Sequence, residues 1–139
     1  MRLMWFPLTE EKVLKLFARC YNRSDFEPII ARLSRKAAYE SWNNFYHYRG
    51  RESVTRVLRE RAVRLQATAP KERAYMGFMM VKRDMIGTHP EHCVCICEGD
   101  DPNRVTGLVR IRFTPLRIQR IDIVAAATHP YTRGDYAGD

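Results

Sequence analysis

The apolar residues of this chain change period near Pro70, and no other feature constrains the fold as much. As far as Ala67 they recur three or four apart, as on one face of a helix; from Tyr75 onward they alternate, as on a half-buried strand. Helical segments first and a run of strands afterwards read as an α+β domain. Thr9 predicts an N-cap, with Glu10 and Glu11 in the first turn, where the helix dipole favours acids. Val13, Leu14, Phe17, Cys20 and Tyr21 then form one apolar stripe, and the helix ends near Asn22. A short second helix starts at Ser24 or Asp25 with Pro28 in its first turn, and Phe26, Ile29, Ile30 and Leu33 form its apolar face.

Ala37 to Trp42 reads as a strand, and the aromatic segment Phe45 to Tyr48 leads to a turn at Arg49-Gly50. A long helix follows from Arg51 to Ala67, with Val54, Val57, Leu58, Ala62 and Leu65 on its buried face. Glu52, Arg56, Glu60 and Arg64 recur every four residues, a spacing that predicts ion pairs along its solvated face. Pro70 stops it. Four strands are predicted after that: Tyr75 to Arg83, His92 to Glu98, Arg104 to Thr114 and Arg117 to Ala126, with hairpin loops at Gly99–Asn103 and Pro115-Leu116.

The chain of 139 residues is read as one domain over 1–127 with a flexible tail over 128–139. No apolar stretch approaches the roughly 20 residues of a membrane helix, and residues 1–7 lack a signal-peptide pattern, so no membrane partner and a cytoplasmic location are expected. Cys93, Cys95 and Cys97 occupy alternate strand positions, about 6.5–7 Å apart with parallel side chains, which disfavours disulfides. They lack the paired CxxC spacing of a zinc site, so free thiols and no metal are expected. The net charge of +8 comes mostly from arginine, but no basic run and no glycine–aromatic signature accompany it, so nucleic acid is not the expected partner.

The order of these elements, with the residues that carry it, resembles the nuclear transport factor 2-like superfamily over Glu10 to Ala126. The segments are Leu16-Phe17-Ala18-Arg19-Cys20-Tyr21-Asn22 followed by Asp25-Phe26, Ala38-Tyr39-Glu40-Ser41, Tyr48-Arg49-Gly50-Arg51-Glu52-Ser53-Val54, and Ile118-Gln119-Arg120-Ile121-Asp122. The similarity is greatest to the polyketide-cyclase-like (SnoaL-like) and ketosteroid-isomerase-like branch. It implies a cone: a curved, mostly antiparallel sheet wrapped around about three N-terminal helices. It also implies a homodimer through the outer sheet face. Family enzymes work without a cofactor through a carboxylate, histidine or tyrosine inside the cone, and fold alone selects no activity.

A two-residue turn at Pro115-Leu116 predicts Phe113 opposite Ile118, Ile111 opposite Arg120 and Val109 opposite Asp122; the preceding loop predicts Cys97 opposite Val105 and Cys93 opposite Val109. In that register Arg120 and Asp122 point into the cone, while Leu108, Arg110, Arg112, Ile121 and Ile123 form a half-apolar outer face suited to the dimer. A one-residue slip would send Arg120 and Asp122 outward. Asp122 is the candidate catalytic acid or base, with a structural Arg120–Asp122 ion pair as the alternative. Tyr39, Trp42, Tyr46, His47, Cys93, Val109, Ile111 and Arg120 are the candidate pocket residues, for a small apolar or aromatic ligand. Three functions stay open: a small-molecule-binding domain acting as a cofactor-free isomerase, cyclase or dehydratase; a non-enzymatic dimeric scaffold or accessory protein; and a binder of nucleic acid or another anionic partner through its arginines.

Overall fold

The computed structural model describes residues 6–41, 46–68, 75–81, 91–97 and 105–125; for 46, 75–81, 91–97, 105–108 and 124–125 it describes the backbone alone. Helix α1 spans Glu10–Arg23. Thr9 caps it, its hydroxyl accepting from the Lys12 amide at 3.2 Å. Ser24 closes it in the left-handed conformation at φ 58°, its N–H donating to the carbonyls of Cys20 and Tyr21. Val13, Leu14, Phe17, Ala18, Cys20 and Tyr21 are buried, as the predicted stripe requires.

Helix α2 is a single turn, Glu27–Ile30, shorter than expected. Leu33, expected on its apolar face, instead begins strand β1, Leu33–Ser41, and is fully buried there. The physical reason is long-range. The Arg32 carbonyl accepts from the Ile118 amide at 2.7 Å, so the chain is drawn into a sheet just where local pattern would continue a helix. Strand β2, Tyr46–Arg49, follows, in the segment read as leading into a turn. Helix α3 then runs over Arg51–Ala67, as predicted. Gly50 precedes it at φ 90°, a conformation costly for residues with a Cβ, and its amide donates to the Ala37 carbonyl at 2.7 Å. The expected ladder of ion pairs along α3 does not form among the described residues. Arg59 instead binds Glu27 through two hydrogen bonds of 3.0 and 2.9 Å, joining α3 to α2.

Strands β3 (Tyr75–Val81), β4 (Glu91–Cys97), β5 (Val105–Phe113) and β6 (Ile118–Ala125) complete the chain. The sheet order is β2-β1-β6-β5-β4-β3. Among the described residues only the β1–β6 pairing is parallel, so the sheet is mixed and mostly antiparallel, as expected. Irregularities at Leu33/Ala38, Ile96/Cys97 and Arg112/Phe113 give it the curvature that bulges produce. Helix α1 packs against β3, β4 and β5, and α3 against β1 and β2. No helix among the described residues is long and apolar enough to cross a membrane. The expected tail over 128–139 lies outside the described residues.

The β5–β6 register departs from the expected one. Phe113 does face Ile118, but the irregularity beside it shifts the rest by one residue: Arg112 faces Arg120, Ile111 faces Ile121, Arg110 faces Asp122 and Val109 faces Ile123. Ile118, Ile121 and Ile123 therefore turn into the core, 0%, 0% and 6% exposed. Arg120 and Asp122 turn outward. In the same way Cys97 faces Val105 as predicted, but Val94, not Cys93, stands opposite Val109.

Candidate functional site

The inner face of the sheet carries Leu33, Ala37, Tyr39 and Ser41 from β1, Ile118, Ile121 and Ile123 from β6, and Val109 from β5, all buried. Pleat parity produces this set: Tyr39 pairs with Ile121, Ser41 with Ile123, and Tyr48 of β2 with Tyr39. The Tyr39 and Tyr48 rings lie 6.1 Å apart at 53°, a tilted aromatic pair at the open edge of the sheet. Tyr39 is 3% exposed and Ser41 2%, and among the described residues neither hydroxyl has a hydrogen-bond partner. Two polar groups are thus aimed into an apolar interior with nothing described to satisfy them, which is uncommon in native cores.

The outer face is charged. Across it β2, β1, β6 and β5 place His47, Glu40, Asp122 and Arg110 in one row. Arg120 Nε donates to both Asp122 oxygens at 2.8 and 3.1 Å, and its Nη2 donates to Glu40 Oε2. His47 Nδ1 lies 3.9 Å from Glu40 Oε1, and Arg49 Nε donates to His47 Nε2 at 3.1 Å. Asp122 is therefore paired with Arg120, which also binds Glu40. It also borders a hollow of about 460 Å³ with Glu10, Leu14 and Arg110. That hollow lies along the part of β5 that β4 does not pair, since their ladder stops at Val109.

Of the candidate pocket residues, Tyr39 and Val109 are buried on the inner face and Ile111 is half-buried beside them. His47 is exposed on the outer face, and Arg120 and Asp122 lie there too, which removes all three from the cone. Trp42 and the side chains of Tyr46 and Cys93 lie outside the description. Ile121 and Ile123 turn inward and leave the outer face proposed for the homodimer, while the side chain of Leu108, the third apolar residue expected there, lies outside the description. Ser41 was missed as a site residue; its signal was its position two residues beyond Tyr39, on the same face. In α1 the buried Cys20 is a free thiol whose pKa is raised to about 11, chiefly by burial, so it is a poor nucleophile at neutral pH.

No family model matches the sequence, and the search of curated proteins found no match. Solved structures are similar in fold. An NTF2-like protein of unknown function from Mesorhizobium loti is 12% identical at a TM-score of 0.54, over 84% of this chain and 89% of that one. The chain has the nuclear transport factor 2-like fold. A candidate ketosteroid isomerase from Kribbella flavida is 18% identical at a TM-score of 0.51, over 84% of this chain and 78% of that one. A de novo designed protein with a curved β-sheet is 20% identical at 0.50, over 85% and 88%. At these identities the nuclear transport factor 2-like architecture is what the likeness establishes, and ligand and chemistry must be argued from this chain's own residues.

Proposed function

We propose that the protein binds a small, mostly apolar molecule inside its cone, against the inner face of β1, with the Tyr39 and Ser41 hydroxyls meeting a polar atom of that ligand. The observation that carries this reading is the pair of buried hydroxyls without partners among the described residues. A buried hydroxyl left unpaired costs about 1–3 kcal/mol, which a ligand oxygen would recover. Around the two hydroxyls the surface is apolar: Ile121, Ile123 and the Tyr48 ring. Such a setting suits an apolar body bearing one carbonyl or hydroxyl, and a tyrosine hydroxyl donating to a carbonyl there also polarises it. A ketosteroid, the substrate class in the name of the Kribbella flavida neighbour, is a molecule of this kind. Asp122 takes no part, because Arg120 holds its carboxylate on the opposite face.

The test is Tyr39→Phe, followed by thermal unfolding with and without a steroid ketone and its hydrocarbon counterpart. The free variant should be as stable as the parent or more so, because an unpaired hydroxyl has gone. The parent should be stabilised more by the ketone than by the hydrocarbon, and the variant equally by both. A free variant less stable than the parent would mean the hydroxyl already has a partner, and the reading would fail.

A further inference from the structure

We propose that the cleft bordered by the exposed face of α3, Arg35 of β1 and Arg49 of β2 is the docking surface for an acidic peptide segment of a partner protein. The cleft encloses about 1240 Å³ and is bordered by Arg35 of β1, Arg49 of β2, and Arg51, Arg56 and Arg59 of α3, with Glu52 and Glu60 as the acidic residues among them. Five arginines from three elements converge there against two glutamates, so the surface is net positive. All five are exposed. Two are already oriented, Arg59 by Glu27 and Arg49 by His47. Arg35, Arg51 and Arg56 have no ion-pair partner among the described residues. Gathering like charges is unfavourable for the free protein and is relieved by an anionic occupant.

The residue type narrows the occupant. A guanidinium presents a planar fork that matches a carboxylate with two parallel hydrogen bonds, where a lysine would act only as a point charge. The mixed lining favours a peptide over nucleic acid. Glu52 and Glu60 would repel a continuous row of phosphates but can pair with a basic residue of a peptide. Among the described residues no aromatic ring lines the cleft on which a base could stack. Val63, 66% exposed at the far end, offers an apolar foothold of the kind a peptide side chain uses. From Arg51 to Val63 the helix rises about 18 Å, the span of roughly five or six extended residues. This surface is separate from the inner face of β1, so its test is independent of the ligand proposal above.

The probe is a fluorescently labelled hexapeptide of four glutamates and aspartates with two leucines, titrated against the full chain and followed by anisotropy. Arg51→Glu with Arg56→Glu should weaken binding at least about tenfold, as removal of close charge pairs does. The charge-matched control, Lys12→Glu with Arg112→Glu, should leave it within about twofold, because those cations lie on α1 and β5 and neither lines the cleft. Backbone amide shifts on peptide addition should cluster at Arg35 and along 49–63. No binding, equal loss in the control, shifts elsewhere, or tighter binding of a thymidine oligonucleotide of matching length would each overturn the proposal.

Discussion

Arg32 joins three stretches of chain that are remote in sequence. Its Nη2 donates to the carbonyls of Phe6 at 2.9 Å and Pro115 at 3.2 Å, and its Nε to that of Leu116 at 3.2 Å. The residue is 9% exposed, and its burial, then the nearby Arg117, lower its pKa. Guanidinium stays charged at any ordinary pH, so the site behaves as a fixed cation tying the β5–β6 turn to the start of β1. Arg32→Met should destabilise the protein by about 2–3 kcal/mol, since charged hydrogen bonds are lost and carbonyls are left short of donors. A urea midpoint shift at unchanged m would show it. Arg32→Lys should recover only part of the loss, because an ammonium cannot reach all three acceptors in the guanidinium's geometry.

Between elements, the contact of α2 with α3 is the one the helix pattern did not foretell. The i,i+4 spacing of Glu52, Arg56, Glu60 and Arg64 predicts pairing within α3, yet the observed pair is Arg59 with Glu27, across elements. Arg59 holds the Glu27 carboxyl below its ordinary pKa. A carboxylate depressed on folding stabilises above its unfolded value, and that contribution is lost as pH falls through the lower folded value. Glu27→Gln should therefore lower the melting temperature slightly at pH 7, the difference fading in strong acid and at high salt, because both side chains are more than half exposed at 56% and 59%. Strand β2 shows the same limit of local reading. Tyr46, His47, Tyr48 and Arg49 do alternate, but four residues are too few for a period to stand out beside an aromatic cluster.

At the scale of the whole molecule, the decisive quantity is which face of the sheet each residue of β6 occupies. With Ile121 fully buried, Ile121→Ala should cost about 2–5 kcal/mol. Asp122→Asn, at a side chain only 26% exposed on the outer face, should cost less, about 1–2 kcal/mol, because an amide oxygen can still accept from Arg120. A register without the shift would reverse that order, so a pair of chemical denaturation curves distinguishes the two sheets. The same shift moves the candidate carboxylate out of the cone and leaves hydroxyls, from Tyr39 and Ser41, as its described polar groups on β1.

The sequence by itself determined the three helices, five of the six described strands and their order, but not β2 or the start of β1 at Leu33. Thr9 as a cap, the stripe of α1 and the bounds of α3 at Arg51 and Ala67 all depend on neighbours within a few residues, which a local pattern records. The alternation of β5 likewise showed that Val109 and Ile111 share a face. What only the tertiary structure decided was which residues meet. One irregularity between Arg112 and Phe113 moves the β6 ladder by a single residue, and because side chains alternate with a period of two, that step exchanges Asp122 for Ile121 across the sheet. The convergence of Arg35, Arg49, Arg51, Arg56 and Arg59 on one cleft is of the same kind. Their separation along the chain hides a proximity that the pairing of β1 with β2 and the turn at Gly50 create.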